Sequence, residues 1–327
     1  MMVSEQSTSL PPFRITPEFV PRVWGFHDLR PWYDLHDGEI AVGEAWLTGD
    51  RCTAECGPLR GKTLAEICSA HPSLVLGERA KSCDSPLLIK VLFAREKLSV
   101  QVHPDDRMAQ RYGQPRGKTE CWYALAAEPG AQVACGLKAG ATKERIEAGI
   151  HDGTLEEWLN IVPICAGDMI YVDAGTVHAV WPGSILLETQ QNCDITYRMY
   201  DYGRPREQHI DKSLEATRLT TRAGKVVPRE EGDRTLLLEE EHFRIERVRI
   251  ADRMTSEELS ATDREPALSY LFVASGSGRV SGDGFEAFGL RERSITLVPA
   301  KTAEFVVGAE TPLELIRISA RWPLGSV

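Results

Sequence analysis

Residues 167–178, Gly-Asp-Met-Ile-Tyr-Val-Asp-Ala-Gly-Thr-Val-His, read as a strand, a tight turn and the start of a second strand. The apolar run Met169 to Val172 is bounded by Gly167-Asp168 on one side and by Asp173-Ala174-Gly175-Thr176 on the other. Residues 293–304, Arg-Ser-Ile-Thr-Leu-Val-Pro-Ala-Lys-Thr-Ala-Glu, have the same character at an offset of 126. Upstream, Glu120-Cys-Trp-Tyr-Ala-Leu125 is echoed by Ala267-Leu-Ser-Tyr-Leu-Phe272 at an offset of 147. The offsets differ by 21 residues, about the length of a charged segment that only the first half carries. This predicts two related β-domains. The first copy has Glu120 and His178 where the second has Ala267 and Glu304, so a metal held by one copy belongs to the first.

Outward from these stretches the chain is punctuated as short strands. Leu87 to Phe93 is an apolar run too short for a free-standing helix and reads as a core strand, and Lys97–His103 and Glu120–Leu125 read as further strands. The charged segment 142–159 predicts two short helices, with Thr142 and Thr154 as N-caps. Leu64–Cys68 and Leu74–Leu76 fall in short helices, Asp211–Arg218 reads as a helix, and 224–234 as a polar linker. The last 90 residues are a train of strands with Gly-rich turns such as Ser275-Gly276-Ser277-Gly278. The fold class is mainly β, an antiparallel sandwich or barrel in each domain. The expected division is a poorly ordered 1–12, a first domain over 13–230 with its helical insertion at 142–159, and a second β-domain over 235–327 without metal ligands.

Composition narrows the partners. The chain of 327 residues carries 38 Lys+Arg and 48 Asp+Glu, a formal charge of −10, with no run of five basic residues. Such a balance gives no attraction to nucleic acid or to anionic membranes. No stretch of eighteen apolar residues occurs, and Met1 to Ser7 has neither a basic start nor an apolar core, so a cytoplasmic protein is expected. The eight cysteines contain no Cys-x-x-Cys pair and are expected as reduced, mostly buried thiols. Cys52 and Cys56 have no second ligand pair at matching spacing and are read as structural.

The chemistry gathers elsewhere. Gln101 and His103 stand two apart on a strand and so point to one face; Lys118 and Glu120 repeat the arrangement on the next. His178, after its turn, completes two imidazoles, one carboxylate and one amide oxygen, a set that suits Zn²⁺ and also takes Mn²⁺, Co²⁺, Ni²⁺ or Fe²⁺. Residues 188–204, Glu-Thr-Gln-Gln-Asn-Cys-Asp-Ile-Thr-Tyr-Arg-Met-Tyr-Asp-Tyr-Gly-Arg, are dense in amides, carboxylates, tyrosines and arginines. That density suits a pocket binding hydroxyls and an anionic group.

At these residues a family resemblance emerges. Arg22-Val-Trp24-Gly25, Ile40 to Trp46, Leu98 to Asp106, Gly117 to Tyr123, Ala174 to His178 and Glu188 to Arg204 resemble, in order, the motifs of the mannose-6-phosphate isomerases in their short bacterial form. They span about 20–215, and the β-rich tail resembles the family's second cupin domain. The resemblance implies two jelly-roll cupin β-domains and one metal per chain, usually zinc, on Gln101, His103, Glu120 and His178. It implies interconversion of mannose 6-phosphate and fructose 6-phosphate, with a small sugar phosphate as partner and no nucleic acid or membrane; monomer and homodimer stay open. Arg198 and Asp194 match the family's active-site Arg and Asp, Lys118 a lysine beside the ligand glutamate, and Ser99 and Lys90 further pocket positions. The longer eukaryotic and enteric forms place a histidine where this chain has Gly117, so ring opening needs another group or water here.

The reaction removes a proton from C2 and returns one to C1 through a cis-enediol, with charge developing on both oxygens. Arg198 is an electrostatic partner, since a guanidinium does not give up its proton. The base is left among Lys118, which a dication would drive towards neutrality, and Glu188 or Asp194, which a dry cavity would raise. Lys90, Ser99, Arg204 and Arg206 are the phosphate candidates. The insertion 142–159 is read as packing, with a lid as its alternative role. Competing functions are an iron dioxygenase on the same ligands, an isomerase of another phosphorylated aldose, and a non-catalytic sugar-phosphate-binding cupin.

Overall fold

The computed structural model describes residues 8–36, 38–80, 82–263 and 265–321. The chain forms two compact units: one gathers Phe19–Trp46 and Leu87–Val226, the other the residues up to Glu18, Leu47–Pro86 and those from Val227 on. Among the described residues no helix is long and apolar enough to cross a membrane.

In the first unit the strand Leu87–Ala94 is buried along its whole length, as its unbroken apolar run requires: a strand covered on both faces shows no alternation. It lies inside a seven-stranded antiparallel sheet ordered Gly224–Val226, Met169–Val172, Glu120–Ala127, Ser184–Gln191, Leu87–Ala94, Val42–Trp46, Glu18–Phe26. A five-stranded sheet, ordered Tyr197–Tyr200, Val100–Val102, His178–Val180, Gln132–Leu137, Leu159–Pro163, faces it. Trp122, Leu92, Leu186 and Ile170 from the first sheet meet Val133, Cys135 and Val180 from the second in one core. This is the sandwich of a cupin jelly roll.

Alternation on the five-stranded sheet separates structure from chemistry. Val100, Val102, Ala134 and Ala179 point outward and pack against Ile146 and Ile150 of the helix Lys143–Asp152, with Leu155 of the 3₁₀ turn Leu155–Trp158. Gln101 and His178 lie opposite each other, with the inverse parity. The helix starts at Thr142, whose side chain accepts from the Arg145 N–H, and stops at Gly153 in the left-handed conformation, φ 72°. Thr154, expected as a second cap, makes no side-chain capping bond. The insertion is thus an outer layer of the sandwich, which accounts for its apolar positions without a lid role.

The second unit shows the echo as topology. Its eight-stranded sheet contains the order Ile295–Val298, Ser269–Ser275, Leu313–Ala320, Phe243–Ile250, matching Met169–Val172, Glu120–Ala127, Ser184–Gln191, Leu87–Ala94 in the first. A four-stranded sheet of Arg253–Thr255, Val306–Ala309, Gly278–Ser281 and Phe288–Leu290 completes it. Val172 is registered opposite Glu120, whereas Val298 is opposite Ser269. Ser269, two residues beyond the expected Ala267, is therefore the counterpart of Glu120; a shift of two keeps the same face.

Three boundaries depart from the sequence reading. Residues 1–7 lie outside the described residues, but Leu10, expected in a poorly ordered tail, is fully buried, and its N–H donates to the Lys301 carbonyl at 3.0 Å. Phe13–Thr16 and Leu47–Pro86, expected in the first domain, belong to the second unit: buried Phe13 and Ile15 alternate on a strand paired with Ile295–Val298. The 224–234 linker contains two short strands, Gly224–Val226 and Arg229–Glu231, whose charges suit sheet edges. Packing of the insertion gives a direct expectation: Ile146→Ala, at a fully buried position, should lower unfolding free energy by about 2–5 kcal/mol in urea titration. An unchanged midpoint would show that the helix is not part of the packed unit.

Candidate functional site

The two sheets of the first unit deliver three buried donors to one point. His103 follows the strand Val100–Val102, Glu120 opens the strand Glu120–Ala127, and His178 opens His178–Val180. Their ligand atoms all lie within 4.8 Å of one another, and each residue is at most 1% exposed. Glu120 Oε2 stands 3.5 Å from His103 Nε2, and Glu120 Oε1 3.4 Å from His178 Nε2. Nε2 of His103 has no hydrogen-bond partner among the described residues, and the Glu120 oxygens have none besides the Lys118 ammonium. Buried polar atoms without partners are costly, and a set converging on one volume is what a cation-binding site requires. His178 Nδ1 lies 2.9 Å from the Thr176 carbonyl, which fixes the proton on Nδ1 and leaves Nε2 as the electron-pair donor. Gln101 joins from the neighbouring strand with Nε2 3.2 Å from His178 Nε2; a half-turn of its carboxamide presents Oε1 instead.

Burial sets the protonation. It holds His103 well below the ordinary imidazole range and His178 down to about 4, so both are neutral donors at physiological pH. Burial raises the Glu120 carboxyl, against the pull of Lys118. The Lys118 Nζ stands 3.1 Å from Glu120 Oε2; burial alone would lower its pKa, but Glu120, Glu188 and Asp194 outweigh burial and raise it. Without a bound cation Lys118 is therefore a protonated ammonium; the neutrality expected of it belongs to the site with a dication bound.

A second polar row crosses the seven-stranded sheet. Lys90 is registered opposite Glu188, and Glu188 opposite Trp122. Lys90 Nζ lies 3.3 Å from Glu188 Oε2, 3.7 Å from Asp194 Oδ1 and 4.0 Å from Glu44 Oε2. Trp122 Nε1 donates to Glu188 Oε1 at 3.1 Å. Glu188, expected to be raised, is instead lowered: burial pushes it up, but Lys90, Lys118 and the Trp122 bond prevail. Asp194 keeps about half its side chain exposed, at 54%. Arg198 is registered opposite Gln101, so it faces the ligand row; its Nη1 donates to the Glu207 carbonyl at 2.7 Å and its Nε is buried without a partner.

Not every predicted residue joins this cluster. Arg204 Nη2 donates to the Lys97 carbonyl at 2.6 Å and pairs with Asp201 at 2.9 Å, and Arg206 grips Asp201 with two bonds of 2.6 and 2.7 Å. Their donors hold the 201–206 turn. Ser99 donates to Gln101 Oε1 at 3.4 Å, beside the ligands. Sequence reasoning gave no role to Glu44, which Arg22 clamps with two 3.0 Å bonds and Trp46 Nε1 caps at 2.6 Å. Its signal was a carboxylate inside the otherwise apolar strand Val42–Trp46. Asp106 was likewise missed: its Oδ1 accepts from Gly117 N–H at 2.7 Å and from Gln191 Nε2 at 2.9 Å, fixing the approach to Lys118 and Glu120. Gly117 itself admits no side chain, since a Cβ there would stand 2.5 Å from the Pro104 carbonyl oxygen and the Asp105 carbonyl carbon.

Comparison with known proteins places this arrangement. A family model described as phosphomannose isomerase type I, catalytic domain, matches residues 27–133. A Bacillus subtilis protein described as a probable mannose-6-phosphate isomerase is 32% identical over 313 residues, covering 90% of this chain and 96% of the relative. The chain belongs to the type I phosphomannose isomerase family. A Streptococcus mutans mannose-6-phosphate isomerase is 31% identical, covering 85% of this phosphomannose isomerase family member and 89% of the relative. The crystal structure of mannose 6-phosphate isomerase from Bacillus subtilis superposes with a TM-score of 0.83 at 30% identity, over 94% of this chain and 99% of that one.

The geometry predicts a proton-linked metal site. With Glu120 raised and His178 titrating near 4, metal binding at pH 5–6 should expel a proton from Glu120 and none from His178. Affinity should therefore rise with pH through this range. Calorimetry in buffers of different ionisation enthalpy reads the proton directly, and His103→Ala should abolish stoichiometric metal in elemental analysis. Metal uptake without proton release at pH 5–6 would mean that Glu120 is already ionised.

Proposed function

We propose that this chain interconverts D-mannose 6-phosphate and D-fructose 6-phosphate in the cytoplasm, using one divalent metal, zinc, held by Gln101, His103, Glu120 and His178. The observation that carries this reading is the fully buried Glu120 carboxylate, paired with Lys118 and facing the convergent Nε2 atoms of His103 and His178. It occurs in a chain 32% identical over nearly its whole length to a relative described as a probable mannose-6-phosphate isomerase. Relative and site agree in chemistry: oxygen and nitrogen donors without thiolate suit a Lewis-acid metal. When bound, the metal supplies electrostatic stabilisation to oxygens on which charge develops.

The chain's own residues do the rest. A carboxylate takes the C2 proton and its conjugate acid returns it to C1, while Lys118 or water passes the O2 hydroxyl proton to O1, so the sugar changes in place with no net loss or gain. Glu188 is ionised, buried and held by Lys90 and Trp122, which makes it the better-defined acceptor; Asp194 is the more exposed alternative. Lys118, protonated beside Glu120, donates hydrogen bonds to a developing enediolate and can protonate it. Arg198 brings a fixed positive charge next to Gln101, with Nε available. Ser99, Lys90 and Arg204 are the groups offered to the phosphate; Lys90 is tied to Glu188 and Asp194, and Arg204 to Asp201 and the Lys97 carbonyl. With glycine at 117, ring opening falls to another group or to water.

A coupled assay on mannose 6-phosphate tests the reading: turnover should vanish on chelation and return with Zn²⁺. Turnover restored only on another phosphorylated aldose would move the substrate and keep the reaction class. Arg198→Ala should retain metal and lose roughly 10²-fold or more in kcat. Glu188→Gln should lose about 10²–10⁴-fold if it moves the proton; retention of kcat there, with loss in Asp194→Asn, would transfer that role to Asp194.

A further inference from the structure

The second unit repeats the catalytic barrel row for row, and the repeat extends to its buried charges. In the first unit Lys90 is opposite Glu188, which is opposite Trp122; in the second Glu246 is opposite Arg317, which is opposite Leu271. Taking Ser269 as the counterpart of Glu120, Arg317 occupies the place of Glu188, Glu246 that of Lys90, and Ser319 that of Gln190. The ion pair is kept with its polarity reversed: Arg317 Nη1 lies 2.9 Å from Glu246 Oε2. The metal donors are not kept, and among the described residues the cluster of His103, Glu120 and His178 is the one His/Cys/Asp/Glu group able to hold an ion.

This polar end is open. A cavity of about 650 Å³, lined entirely by the second unit, reaches Arg244, Thr262, Asp263 and Ser319, and an adjoining one of about 510 Å³ reaches Ser269 and Arg317. Both lie in the size range of small-ligand sites. The side chains at the base are held in place: Thr262 Oγ1 donates to Glu246 at 2.9 Å, Ser319 Oγ donates to Asp263 at 3.1 Å, and Arg317 pairs with Asp263. Arg244, 7% exposed, lines the larger cavity with its Nε buried and without a partner among the described residues. The larger cavity's lining balances four acidic against four basic side chains, and Pro266, Ala267 and Ala300 give it an apolar side.

We propose that this cavity is a second, metal-independent binding site, and that its ligand is a neutral hexose. Each sugar hydroxyl both donates and accepts, matching alternating carboxylate and guanidinium groups already oriented by one another. The C–H face of the ring meets the apolar side. A phosphorylated sugar is disfavoured because the cationic groups here are matched by carboxylates.

The test is equilibrium dialysis of labelled D-mannose and D-fructose against the full chain, wild type and Ala267→Trp. The tryptophan fills the cavity from a partly exposed loop position and leaves the charged network untouched. Wild type should bind about one equivalent of hexose more than the variant, with equal turnover of mannose 6-phosphate. Equal hexose stoichiometry in the two proteins would overturn the proposal. A difference in stoichiometry with no turnover in either would uphold it and remove only the isomerase reading. If Ala267→Trp fails to fold, by circular dichroism, Thr262→Val serves instead, with at least a tenfold loss of hexose affinity expected and unchanged affinity refuting the site.

Discussion

The Glu120 carboxylate is the group around which the catalytic unit is arranged. It is wholly withdrawn from water, accepts from the Lys118 ammonium, and faces two neutral imidazoles. An isolated buried charge is too expensive to persist, so such a group either protonates or is matched by a cation. Lys118 supplies one match at 3.1 Å, and the converging His103 and His178 supply the donors of another. Everything that fixes these four residues contributes to making the carboxylate tolerable. Strand register brings His178 opposite Gln101, the Thr176 carbonyl sets the imidazole tautomer, and Asp106 ties Gly117 to Gln191 beside Lys118 and the start of the strand Glu120–Ala127.

The same reasoning extends across the sheet. Lys90 is nearly inaccessible, yet it stands among Glu188, Asp194 and Glu44, and Glu44 is itself clamped by Arg22. Such a network does not rank as a large source of stability; removing one partner of a buried pair, however, typically costs about 3–5 kcal/mol. Its effect here is electrostatic. It favours the ionised form of Glu188 in a buried place where burial alone would protonate it, so a carboxylate and an ammonium coexist in one buried cluster.

Much of this was legible in the chain, for identifiable reasons. Gln101 with His103, and Lys118 with Glu120, could be assigned to one face because strand alternation is local and strict. The two-copy architecture was visible because the pattern of apolar runs and turns survives where the identities of the side chains do not. What was not legible depends on distant pairing. The sequence carries no sign that Lys90 would overcome burial at Glu188, since that follows from the register of two strands almost a hundred residues apart. That Asp201 holds both Arg204 and Arg206 could not be read either, because by composition it is indistinguishable from any other turn aspartate. Glu120's counterpart was placed at Ala267 rather than Ser269 because a similarity of character is blind to a two-residue shift that preserves the face.

The strand Phe13–Thr16 joins its partner Ile295–Val298 across most of the chain's length. During synthesis at about 5–20 residues per second, its apolar face waits roughly 15–55 s for that partner to emerge. The catalytic unit, contained within 19–226, can close meanwhile. The strand Phe13–Thr16 is thus made long before the partner that buries it. A bulky fusion placed close to Leu10 therefore crowds a strand whose pairing partner is made about 280 residues later.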